Sequence, residues 1–75
     1  ELLQLKQQCL ELLDRHLADA NPFVRASASK ALGDLADPEA IPLLRRALSD
    51  ADLDVRLFAV EALGGIRHPE ASALL

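Results

Sequence analysis

The 75-residue chain repeats itself. Shifted by 31 positions, Leu17-Ala-Asp-Ala falls on Leu48-Ser-Asp-Ala, Val24-Arg25 on Val55-Arg56, and Ala31-Leu32-Gly33 on Ala62-Leu63-Gly64. The register continues with Pro38-Glu39-Ala40 on Pro69-Glu70-Ala71 and Leu43-Leu44 on Leu74-Leu75, so 14 of the 28 comparable positions are identical. An Ala- and Leu-rich composition explains chance matches of Ala and Leu, but it does not put Pro, Gly, Arg and Asp in register. A short recurring unit buries its apolar surface by stacking on its neighbours.

The residues that punctuate each unit specify two helices. Asp37-Pro38-Glu39 combines an N-cap residue, a proline at the first helical position and an acid in the first turn. The spacing predicts a helix over 38–49, ended by the carboxylates of Asp50-Ala51-Asp52-Leu53-Asp54, then a second over 54–66 that Gly64-Gly65 brings to a stop. The earlier copy places a helix over 22–35 after the cap Asn21, a long helix over 1–19 precedes it, and another unit begins at 69–75. Val24, Ala28, Ala31, Leu32 and Leu35, with their counterparts Val55, Ala59, Ala62, Leu63 and Ile66, lie on one arc of a 3.6-residue helix and are read as core. The predicted class is all-α, with about two and a half units of 31 residues.

The run from Pro38-Glu39-Ala40-Ile41-Pro42-Leu43-Leu44 to Asp54-Val55-Arg56, followed by Ala59 and Glu61-Ala62-Leu63-Gly64, resembles the HEAT-like repeat of the phycobilisome-lyase type. The resemblance covers residues 7–75. It implies an α-solenoid of antiparallel helix pairs, right-handed and curved, with second helices along a concave face, that serves as a protein-binding scaffold. It also carries an alternative function, an accessory part of a bilin chromophore lyase acting on phycobiliproteins.

Composition sets the remaining bounds. A chain this short forms at most one small domain, with little stability to spare for a strained catalytic site. Its formal charge of −4 has the wrong sign for a phosphate backbone, so nucleic acid is not an expected partner. No apolar run approaches the ~20 residues of a membrane span. A lone cysteine, Cys9, cannot form an internal disulfide, which fits a cytoplasmic protein.

Chemistry-bearing residues do not assemble into a reactive pattern. Neither His16 nor His68 has a second His or Cys at zinc-ligand spacing, and His68-Pro69-Glu70 fills the slot that Asp37-Pro38-Glu39 fills one unit earlier. The serines have no nucleophile-elbow setting and the glycines form no phosphate loop. The expectation is a non-enzyme with no cofactor and no metal. Asp19, Arg25, Asp50, Arg56, Pro38 and Pro69 recur with the unit and are read as structural, each Asp shaping an interhelical turn and each Arg bonding a carbonyl or the next unit's Asp.

Specificity is sought where the copies differ. On the second helices Leu57, Val60 and Glu61, with Ser29 and Lys30 beside them, are read as a concave groove for a partner helix or peptide. On the first helix Leu2, Leu5, Cys9 and Leu12 form an apolar stripe with no unit before it. The reading expects that stripe to be covered by preceding sequence, a partner helix or a second copy of the chain. Leu63, Ile66 and Leu74, at the other end, are expected to be short of neighbours.

Overall fold

Proline placement and side-chain caps set the helix boundaries in the computed structural model, which describes residues 2–66 and 68–75. In chain order these are α1 (Leu2–Leu17), α2 (Pro22–Leu35), a 3-10 turn (Pro38–Ala40) leading into α3 (Ile41–Ala47), α4 (Leu53–Gly65) and α5 (Pro69–Leu74). Glu1, expected to open the first helix, lies outside the described residues. The Asn21 side chain accepts the Phe23 N–H at 2.9 Å, Asp37 accepts that of Glu39 at 2.8 Å, and His68 Nδ1 accepts that of Glu70 at 3.2 Å. These bonds satisfy helix-start donors that have no intrahelical partner.

Several boundaries differ from the sequence reading: α1, expected to reach residue 19, stops at Leu17, where the Ala18 and Asp19 N–H groups bond the Arg15 and His16 carbonyls, and α4, expected to reach 66, ends at Gly65. The segment expected to be helical over 38–49 opens as a 3-10 turn because Pro42 has no N–H to donate to the Pro38 carbonyl, which accepts from Ile41 instead. Its far end tightens into Ser49-to-Arg46 and Asp50-to-Ala47 backbone bonds, so α3 stops at Ala47. The fourth helix starts at Leu53, since the carboxylate of Asp52 accepts the N–H groups of Asp54 and Val55 and so acts as the cap.

Gly64 and Gly65, read as a stop signal, are the last residues within α4, and no described glycine has a positive φ. The left-handed residue is Ala36, at φ 51°, where it ends α2 and returns its N–H to the Gly33 carbonyl. Such a conformation costs an L-residue with a Cβ about 1–2 kcal/mol.

The most extensive packing is between the two second helices, α2 and α4, while α1 packs on α2 and both α3 and α5 pack on α4. Leu32, Ile41, Leu44, Val55 and Leu63 are fully buried among Ala28, Ala40, Ala59 and Ala71. Each buried Leu or Ile contributes about 1.5–3 kcal/mol, while the alanines let the helices approach.

Burial is unequal between the copies. Val55, Ala62 and Ile66 are buried, yet among the described residues their counterparts Val24 and Ala31 are only half-buried and Leu35 is exposed. At the opposite end Leu63 and Ile66, expected to lack neighbours, are both buried, and Leu74 packs against the core from α5.

Candidate functional site: the faces left uncovered by the stack

A charged pair ties the two units together. Arg25, at the start of α2, donates from Nε and Nη2 to the two carboxylate oxygens of Asp50, at 2.9 and 3.1 Å. Its Nη1 donates to the carbonyls of Asp19 and Ala20, at 2.8 and 3.1 Å. Arg25 thus closes the turn before its own helix and grips the turn of the next unit with a bidentate, charge-assisted pair. Asp50 also accepts the Asp52 N–H at 2.9 Å, an interaction that folds the turn into which Arg56 Nη1 reaches, 2.6 Å from the Asp50 carbonyl.

The equivalent contacts of Arg56 and Asp19 are only partly repeated among the described residues. Arg56 repeats the carbonyl bond of Arg25, but among the described residues it makes no ion pair. Asp19 repeats the turn bond of Asp50, accepting the Asn21 N–H at 2.8 Å, and again no cation is paired with it among the described residues.

Burial works to raise the Asp50 pKa, but hydrogen bonds from Arg25 and the Asp52 N–H, helped by the charges of Arg25 and Arg56, outweigh it. The carboxyl therefore sits below its ordinary value. A carboxyl with a lowered folded-state pKa contributes stability that is present above its unfolded pKa and lost as pH falls through the folded one. Urea unfolding should therefore show stability falling below roughly pH 4. Asp50→Asn, which keeps an acceptor for the turn but not the charge, should start less stable at neutral pH and lose less on acidification. Asp37, held low first by the Glu39 N–H and then by Lys6 at 3.2 Å, adds to the same acid loss.

The α2–α4 contact explains what the exposed side chains of α4 are for. Ala26, Ser29 and Gly33 share one face of α2, and a Cβ added at Gly33 would lie 2.7 Å from the Cβ of Ala62. Ala26 and Ser29 are accordingly buried. Ser29, which the sequence placed in a partner-binding groove, is fully buried, with its hydroxyl unpaired among the described residues. It cannot touch a partner.

Moving this face forward by 31 residues gives Leu57, Val60 and Gly64. Leu57 is 52% exposed and Val60 45%, against 7% for Ala26 and 0% for Ser29. By repeat register they correspond to the face of α2 that is buried within the stack. Lys30 and Glu61 do line an open cleft of about 270 Å³ between α2 and α4, with Phe58 and Gly33 in its wall.

At the other end Leu2, Leu5, Cys9 and Leu12 are all exposed. Cys9 and Leu12, with Leu13, Ala31 and Leu35, border a shallow apolar groove of about 350 Å³ between α1 and α2. The second-unit counterparts of Cys9, Leu12 and Leu13 are Ala40, Leu43 and Leu44, of which Ala40 and Leu44 are fully buried. Sequence reasoning found these end residues, but it read the face of Ser29 as a partner groove where Ala26, Ser29 and Gly33 are packed within the stack. The signal for that packing was available: small residues at spacing three and four beside larger ones at the same positions of the next copy.

Among the described residues no group of three His, Cys, Asp or Glu side chains is placed to hold a metal ion. No described helix is long and apolar enough to cross a membrane.

Helix pairs stacked side by side in a 31-residue register, joined by the Arg25–Asp50 pair, define an α-solenoid built from repeats. The sequence profile of HEAT repeats matches residues 9–75, and the chain belongs to that family. No curated protein matches it.

Proposed function

We propose that the chain is a non-catalytic scaffold segment that binds protein partners through the apolar faces its stack leaves uncovered. Repeat stacks of this family are generally protein-interaction scaffolds, because each unit displays a face that only another packed surface can bury. One observation carries the reading: the positions that are buried between the repeats as Ala26 and Ser29 recur on α4 as the larger, exposed Leu57 and Val60. Apolar surface grouped in this way is a better mark of an interface than scattered exposed residues. An accessory role in a bilin lyase has only the repeat type to support it.

Photo-crosslinking from position 57 should give discrete protein adducts that disappear when Val60→Asp is added. The same probe at Arg45, exposed on α3, should give few. Equal yields from the two positions would count against the reading, provided that helical circular dichroism is unchanged.

A further inference from the structure

We infer that the turn before α5 is a pH-sensitive latch, in which neutral His68 holds the first turn of the helix in place and the imidazolium releases it. The inference goes beyond the scaffold reading and does not rest on it. Three helix starts share one device: Pro22, Pro38 and Pro69 each follow a residue held extended, whose side chain accepts the N–H two residues on. The accepting group is the amide oxygen of Asn21, the carboxylate of Asp37 and the ring nitrogen Nδ1 of His68, the last 3.2 Å from the Glu70 nitrogen. Only an imidazole changes from acceptor to donor between about pH 8 and 5.

The bond to Glu70 requires the neutral tautomer with its proton on Nε2. Protonation puts an N–H on Nδ1, facing the N–H that it had accepted. It also places a positive charge at the positive end of the helix dipole. The carboxylates on the elements packed around this turn are Glu70 on α5, Asp37 and Glu39 before α3, and Glu61 on α4, and among the described residues none forms an ion pair with the ring. Asp37 is engaged by Lys6 and by the Glu39 N–H. The cations are Arg67, next to His68 in the sequence, and Arg45 and Arg46 in the last turn of α3.

The repeat supplies an internal control in Asp37, which caps the preceding unit from the same place, 31 residues earlier. The Glu39 N–H and Lys6 hold its carboxyl below the ordinary value, so it stays a charged acceptor through the range in which an imidazole titrates. Acidification therefore loosens α5 and spares the start of α3. The effect reaches the core, because Ala71 is fully buried, Leu74 packs against the same cluster, and α5 rests on α3 and α4. The stabilisation is present at the alkaline end and is lost as pH falls, in a higher window than the acid loss of Asp50 and Asp37.

The test is amide hydrogen exchange by NMR on the full 75-residue chain, with protection corrected for the intrinsic pH dependence of exchange. Protection of the Ser72 N–H, which bonds the His68 carbonyl, should fall at least about fivefold between pH 8 and 5, in step with the His68 ring signals. Protection in α2 and α4 should hold. His68→Asp, which copies the Asp37 cap, should keep α5 protected at both ends of the range. His16→Gln, which removes the other histidine, should leave the response unchanged.

A flat Ser72 profile while the His68 ring titrates would overturn the inference, as would an undiminished response in His68→Asp. A fall shared by α2 and α4 would overturn it too, since a global loss of stability and not a local latch would then be the cause. None of these outcomes bears on whether the exposed face of α4 binds protein.

Discussion

Gly33→Ala is expected to destabilise the fold by about 1–3 kcal/mol, and Gly64→Ala to stabilise it by about 0.5–1 kcal/mol, although the two glycines occupy the same place in successive repeats. In a helix, alanine is favoured over glycine by up to ~1 kcal/mol because it gives up less backbone freedom on folding. At Gly64 nothing lies within 4 Å of the added Cβ, so that gain is kept. At Gly33 the new atom would sit 2.7 Å from the Cβ of Ala62 and 2.9 Å from its Cα. One of those neighbours is backbone, which no rotamer change can move. The α2–α4 contact must open, and the loss of packing exceeds the helical gain. For a domain of this size, thermal melts should move down by roughly 5–15 °C for the first variant and up by a few degrees for the second. Equal shifts of the same sign would mean that α4 does not cover α2 in the way described.

Leu44→Ala should cost about 2–5 kcal/mol, the range for emptying a fully buried leucine site, whereas its repeat equivalent Leu13→Ala should cost well under half as much. Leu44 has no exposed surface, and it packs among Ile41, Leu63 and the other core side chains. Leu13 is only half-buried and borders the open grooves between α1 and α2. With total stability on the order of 4–11 kcal/mol for a chain of this length, the Leu44 variant should be substantially unfolded at moderate temperature or urea concentration. Chemical denaturation followed by circular dichroism measures both.

These pairs show how much the sequence could say. The repeat, the helix pairing and most of the core were legible because stacking imposes the same apolar arc on every copy, and Pro22, Pro38 and Pro69 mark helix starts by simple chemistry. The Gly64–Gly65 stop was legible, since α4 ends at Gly65, but the role of Gly33 was not, because a helix-terminal glycine and a close-approach glycine look alike in one dimension. Only the distance from Gly33 to Ala62 separates them. Ser29 was misplaced for a related reason. On a helix that packs against one neighbour the far side faces solvent, but α2 has a neighbour on each side, so a polar residue opposite the first arc can be as buried as the arc itself. Arg25 and Asp50 were recognisable as a recurrent pair, while the bidentate geometry that joins one unit to the next depends on how far α4 lies from α2.

The central claim is that one set of repeat positions is sealed within the stack and open at its end. Thiol labelling in a Cys9→Ser background, with Ala26→Cys in one variant and Leu57→Cys in another, tests it most directly in dilute solution without a partner. The account predicts that the thiol at 57 reacts at close to the rate of an unstructured one, and that the thiol at 26 reacts at least about tenfold more slowly, gated by local opening of the α2–α4 contact. Equal rates at the two positions, in variants that retain their helical content, would contradict it.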